Sequence, residues 1–221
     1  MLLGSARRQS TTVEIRTLSD LLSGNELCLL RGDRCLFTDL NFALSAGELL
    51  LVEGINGSGK TSLLRGIAGM LDFEDGNVDW HGIAVTKDYQ AFRSDLVWLA
   101  HKVGFKADLT LLENLRFESG LRNTSMQNLG GVLERLGLAR LTGLPLRVLS
   151  AGQQRRVALA RMLLADAKLW LMDEPFSNLD SAGQALVVEL IAEHLAVGGL
   201  CVVASHQGID LDAPIRRITL Q

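Results

Sequence analysis

Leu49-Leu50-Leu51-Val52-Glu53-Gly54-Ile55-Asn56-Gly57-Ser58-Gly59-Lys60-Thr61 decides how this chain is read: an apolar run, then the pattern G-x-x-x-x-G-K-T. A glycine loop between a buried strand and a helix start lets successive backbone N–H groups converge on phosphate oxygens, and the helix dipole adds positive potential at the same place. Gly54, Ile55, Asn56, Gly57, Ser58, Gly59, Lys60 and Thr61 are therefore assigned to nucleotide phosphates. Lys60 is expected to reach the β- and γ-phosphates, and Thr61 to ligate Mg²⁺. The next segment agrees, because Leu63, Leu64, Ile67, Ala68 and Leu71 share one helical face.

Moving outward, short apolar runs from Glu26 to Phe42 broken at Gly32-Asp33 predict an antiparallel hairpin. Asn77 to Trp80 and Leu96 to Ala100 read as further strands. Between about Leu109 and Ala165 the period turns helical, with Leu111, Leu112, Leu115 and Phe117, then Leu129, Val132, Leu133 and Leu136, so a helical insertion is expected. Strand Leu169 to Met172, helix Ala182 to Ala196 and strand Leu200 to Ala204 then restore a βα alternation. The fold class is α/β with a mainly parallel core sheet, whose ligands gather at the C-terminal ends of its strands.

Composition narrows the function. The 221 residues are 48% hydrophobic with a mean hydropathy of +0.21, yet no uninterrupted apolar run exceeds five residues, so nothing here spans a bilayer as a helix. The surplus apolarity is expected in a core or against partners. Net charge is −3 without a block of Lys or Arg, which argues against a nucleic-acid surface, and pairs such as Arg155-Arg156 read as solvated helix faces. Cys28, Cys35 and Cys201 lie in strand-like stretches without metal-ligand spacing and read as reduced core thiols in a cytosolic setting. Residues 1–23 form an expected tail, disordered or loosely docked; a targeting peptide is the alternative, against which Glu14 and Asp20 speak.

Two acids end the strand Leu169 to Met172, in Asp173-Glu174-Pro175. Magnesium is held by one or two carboxylates with phosphate and water, so Asp173 suits the metal shell and leaves Glu174 to orient or deprotonate the attacking water. A solvated turn before Pro175 is the plainer reading of the same residues. Ser205-His206 closes the following strand at the same rim, where the imidazole of His206 can donate to a γ-phosphate; without that context it reads as a surface histidine. Ser150 with Gln153 fits a helix capping box, which accounts for the local helix start without any function. Gly152 in the first turn costs helix stability by roughly 1 kcal/mol but permits close approach, as at a phosphate.

A glycine loop, an LSxGQ-like element, an apolar strand ending in Asp-Glu-Pro, the run Ser177-Asn178-Leu179-Asp180 and a late strand ending in histidine occur in one order. The set resembles the nucleotide-binding domain of an ABC transporter from about Glu26 to His206. That resemblance implies an ABC-type domain over 24–221 with a helical subdomain at about 109–165, ATP and Mg²⁺ as cofactors, and a head-to-tail dimer. In such a dimer Ser150, Ala151, Gly152 and Gln153 would contact the γ-phosphate held by a second copy, with Asp180 in the D-loop at the seam. Leu27 to Phe37, Lys106 to Leu115 and Leu149 to Arg161 are similar to the ATP-binding subunits of bacterial haem exporters in cytochrome c maturation. That likeness implies ATPase activity on the cytoplasmic face of the inner membrane, integral membrane subunits as partners, and turnover associated with release of a haem-loaded chaperone.

The chain departs from the broad pattern in three places. Ala151 replaces the first signature glycine, His101-Lys102 stands where a glutamine is usual, and Arg31 takes the place of the adenine-stacking aromatic. His101 is a further candidate near Mg²⁺, and Arg31 can stack on a base plane with lower base selectivity. A soluble ABC-type ATPase acting on nucleic acid or ribosomes is disfavoured, since Lys60 and Asp173 are too close in sequence for a long coiled-coil arm and there is no second glycine loop.

Overall fold

The computed structural model describes residues 20–221. In chain order, β1 (Asp20–Arg31), β2 (Arg34–Ser45), β3 (Leu49–Gly54), α1 (Lys60–Ile67), β4 (Asp75–Trp80), β5 (Ile83–Ala84), α2 (Tyr89–Asp95) and β6 (Leu96–Leu99) precede the helical segment. Then come α3 (Leu111–Arg122), α4 (Leu129–Arg135), α5 (Ala151–Leu164), β7 (Leu169–Asp173), α6 (Ser181–Ala196), β8 (Leu200–Ala204) and β9 (Ile215–Leu220).

Two sheets result. The first is antiparallel, in the order β2-β1-β4-β5; the second is parallel, in the order β6-β7-β8-β3-β9. Strand β3 is buried along Leu49 to Val52, and its side chains alternate between two cores, as the two-residue period of a strand requires. Leu50 and Val52 join Leu22, Leu27, Leu44, Leu63, Leu64 and Trp80 between the parallel sheet, α1 and the antiparallel sheet. Leu49 and Leu51 join Leu111, Leu133, Leu159, Met162, Val187 and Ile191 beneath α3 to α6. The helices after β6 thus cover one face of the parallel sheet, and the glycine loop opens at its C-terminal rim.

Several expectations are corrected. Strand β1 begins at Asp20, so residues 20–23 belong to the sheet rather than to a tail: Leu22 is fully buried and pairs with Trp80. The tail expected over residues 1–19 lies outside the described residues. Cys35 is exposed and Cys28 half-buried, leaving Cys201 as the buried thiol, its pKa pushed upward by burial. Cys35 lies at the hairpin end of β2, an edge strand among the described residues.

Strand β6 is also an edge strand, with β7 its neighbour in the sheet. Its carbonyls, and that of the residue just after it, are capped from the helices: Arg122 donates to Leu96 O at 2.9 Å, Arg161 to Trp98 O at 3.0 Å and Arg155 to Ala100 O at 2.7 Å. Edge strands expose backbone groups that must be satisfied or shielded, and guanidinium donors do both.

Candidate nucleotide site

Glycines let the loop after β3 take its path. Gly54, Gly57 and Gly59 have φ of 151°, 84° and 104°. At Gly54 there is also no room: a Cβ there would lie 2.4 Å from Leu220 O on the neighbouring β9. Lys60, 7% exposed, donates from Nζ to Gly54 O at 2.7 Å and Ile55 O at 3.2 Å, so its ammonium lies across the loop it follows.

The two acids at the end of β7 have different partners. Asp173 is buried and accepts the Thr61 hydroxyl at 2.9 and 3.1 Å. Burial raises its carboxyl above the ordinary range, opposed by the Thr61 hydrogen bond and then by His101. Glu174 stands at φ 47°, a left-handed conformation unusual for a residue with a Cβ, and its N–H donates to Ala204 O at 2.9 Å. Its Oε2 lies 2.8 Å from His206 Nδ1, and its Oε1 4.0 Å from Lys60 Nζ. One carboxylate thus meets the loop lysine and the histidine that closes β8.

These groups surround an open cavity of about 650 Å³, a volume suited to a nucleotide-sized ligand. Gly54, Ile55, Asn56, Gly57, Gly59, Lys60, Thr61, His101, Asp173, Glu174 and His206 all line it. So do Arg31 and Leu36 from the hairpin, together with Ser62 and Ser177. Ser58 does not; it is 1% exposed, and its Oγ has no hydrogen-bond partner among the described residues.

The signature-like residues are elsewhere. Ser150, Ala151, Gly152, Gln153 and Asp180 do not line the cavity of their own chain. Ser150 Oγ accepts from Gln153 N at 3.2 Å while Gln153 Oε1 accepts from Ser150 N at 2.9 Å, closing the capping box at the start of α5. A Cβ on Gly152 would come within 2.8 Å of Asn178 O, so in this chain the close approach that calls for glycine is to the turn after Glu174. Asp180 caps α6 by accepting from Gly183 N at 2.8 Å.

Arg155 corrects the sequence reading outright. It is 2% exposed, not solvated, and its guanidinium donates to Ala100 O, Asp173 O, Glu174 O and Pro175 O. Burial lowers its pKa to about 10, which still leaves it charged at neutral pH. A signal was present, because 155, 158, 159 and 162 share one helical face and Ala158, Leu159 and Met162 are core residues. Leu36 and Ser177 carried no comparable signal; only the fold brings them to the loop.

Comparison with known proteins closes the assignment. A family profile described as ABC transporter matches residues 37–177. The Cytochrome c biogenesis ATP-binding export protein CcmA of Methylococcus capsulatus is 44% identical over 86% of this chain and 93% of that one. Its namesakes from Vibrio parahaemolyticus (42%, 90% and 99%) and Yersinia pestis bv. Antiqua (39%, 90% and 93%) are similar. Among solved structures, a putative ABC transporter ATP-binding protein from Pyrococcus furiosus superposes with TM-score 0.78 at 23% identity, over 90% of this chain and 96% of that one. With a profile that spans most of its length and relatives of this identity along nearly all of theirs, the chain belongs to the ABC transporter family, as a CcmA-type ATP-binding protein.

Proposed function

We propose that this chain is the ATP-hydrolysing subunit of a membrane-bound export complex of cytochrome c biogenesis, working as a head-to-tail dimer. The observation that carries the chemistry is the meeting of Lys60, Glu174 and His206 at one cavity whose floor is the glycine loop. Backbone N–H groups of the loop and the Lys60 ammonium hold the β- and γ-phosphates. The Glu174 carboxylate orients the attacking water and accepts its proton, while His206 fixes Oε2 and offers a donor to charge developing on the γ-phosphate.

The residues fit magnesium. Thr61 and Asp173 present hard oxygen donors already hydrogen-bonded to each other, the donor type and number that Mg²⁺ takes beside phosphate and water. When bound, the ion neutralises charge on the β- and γ-oxygens. His101, on the cavity wall, is a further candidate near it.

Ser150, Ala151, Gly152 and Gln153 complete the site from a second copy, with Asp180 at the seam; the absence of all five from their own chain's cavity supports this reading. Partner membrane subunits fit the exposure of Phe117, Leu121, Leu144 and Val148, between 42% and 70%, all within or beside the helical segment. No helix among the described residues is long and apolar enough to cross a membrane, which agrees with peripheral attachment at the cytoplasmic face of the inner membrane. The relatives are named for cytochrome c biogenesis and export; haem as the cargo and release of a haem-loaded chaperone extend that reading through the resemblance carried by Leu27 to Phe37, Lys106 to Leu115 and Leu149 to Arg161. A role on nucleic acid gains no support from a net charge of −3.

Glu174→Gln should slow hydrolysis by about 10²–10⁴ and leave ATP binding intact. Lys60→Ala should weaken binding of a fluorescent ATP analogue in titration. Unimpaired turnover in the first variant, or undiminished affinity in the second, removes the residue from its role. Co-purification with membrane partners, read for haem absorption, tests the cargo.

A further inference from the structure

Three arginines cap the open edge of β6, yet they are not alike. Arg122 and Arg161 each reach one strand carbonyl, of Leu96 and of Trp98. Arg155 reaches four: Ala100 O at 2.7 Å, Asp173 O at 2.9 Å, Glu174 O at 2.6 Å and Pro175 O at 3.3 Å. A single side chain from α5 therefore grips the residue before His101 and the whole turn that carries the acids. The planar fork of a guanidinium suits this, since its five N–H donors are held in fixed directions. The same helix begins with Ser150 to Gln153 one turn upstream.

The grip falls where the backbone is least at ease. Glu174 is left-handed at φ 47° and Asn178, whose carbonyl abuts Gly152, at φ 64°. Non-glycine residues keep such conformations only where surroundings hold them. Glu174 is held from two sides, by Ala204 O at its N–H and by Arg155 at its carbonyl.

We infer that Arg155 is a positioning residue for hydrolysis: seated on α5, it fixes the Ala100–His101 junction and the Asp173–Pro175 turn, so the reach of the Glu174 carboxylate depends on the placement of the signature-bearing helix. This rests on Glu174 as the group that acts on water. Arg155 itself does not line the cavity, so the effect is expected in turnover rather than in affinity. The other two arginines supply the control, being rungs of the same edge that do not touch the acid turn.

The test compares Arg155→Met, Arg155→Lys, Arg122→Met, Arg161→Met and Glu174→Gln in the full chain, assayed with Mg-ATP below every variant's Tm. Arg155→Met should lower kcat by about 10²-fold while KM for ATP stays within about threefold. Arg155→Lys should recover part of the rate, because an ammonium donates but cannot span all four acceptors. Arg122→Met and Arg161→Met should lower Tm yet keep kcat within about threefold of wild type. Unchanged kcat in Arg155→Met, or kcat falling in step with Tm across all three Met variants, overturns the inference and leaves the row as structural glue. If Arg155→Met does not fold, the Lys variant decides by the same split of kcat from KM. A fully active Glu174→Gln would sink the underlying reading instead; an inactive one beside a normal Arg155→Met would sink this inference alone.

Discussion

At Gly54 two demands coincide: a φ of 151° and a carbonyl, Leu220 O, 2.4 Å from where a Cβ would stand. Gly54→Ala should therefore cost about 2–4 kcal/mol by strain and displaced backbone, read as a lower urea midpoint. Amide exchange in 215–220 should quicken, because β9 is what must move. Asn114 is a second point of leverage. It is 2% exposed, accepts from Lys106 N at 2.9 Å, and donates to the carbonyls of Lys106, Leu109 and Thr110. Asn114→Ala should cost about 2–3 kcal/mol in denaturant unfolding, since buried backbone groups lose their partner. Residues whose work is local were legible: the loop glycines, Lys60 and the Ser150–Gln153 box each declare themselves by spacing. Arg155 was not read correctly, because burying a guanidinium is feasible only if distant carbonyls converge on it, and Ala100 and Asp173 to Pro175 lie 55 and 18–20 positions away.

Among the elements, α6 carries a pH response into the core. Its His194 ring stacks on Trp170 of β7, with centroids 4.0 Å apart and planes at 10°, and Nε2 lies 3.1 Å from Lys168 O. Burial lowers the His194 pKa, outweighing hydrogen bonds that act the other way. The folded state thus prefers the neutral ring, so the unfolded chain binds the proton first as pH drops below its ordinary value near ~6.5. Stability is complete above that pH and falls as acid approaches the lowered folded-state pKa. His194→Gln should flatten Tm between about pH 5 and 7 relative to wild type, measured by circular dichroism melting; an unchanged slope would show that other groups set it. Of the elements, β3, β7, β8 and the long helices were legible because each is a burial pattern of its own. β9 was not, since Ile215-Arg216-Arg217-Ile218-Thr219-Leu220 interrupts its apolar period with two cations. Those cations answer acids on or beside β3, Arg216 meeting Glu48 at 3.1 Å and Arg217 meeting Glu53 at 3.1 Å, a pairing that exists only once the strands are adjacent.

For the molecule as a whole, the signature turn does not line the cavity of its own copy, and in the proposed dimer a second copy brings the two together. Glu174→Gln with Mg-ATP, in the presence of its membrane partners, should scatter light as a species of twice 24.0 kDa in its nucleotide-binding part. Adding bulk at Gly152, as Gly152→Val, should leave that part single while a fluorescent ATP analogue still binds. A nucleotide-loaded Glu174→Gln preparation that stays single at high concentration would remove the dimer. Fold class and the order of its motifs were legible at this scale because a parallel sheet with a leading glycine loop is written in alternating segments. Which face of α5 meets the acids was not, being fixed by packing across the sheet edge.

The pairing of β9 with β3 has a practical side. Gln221 follows directly on Leu220, whose carbonyl leans on the first glycine of the phosphate loop. Any segment that continues beyond Leu220, a fused tag or reporter included, leaves the fold beside the phosphate loop, and a pull on it is transmitted to Gly54. Fusions are better cut back to a short spacer, or compared with an untagged preparation before any turnover value is believed.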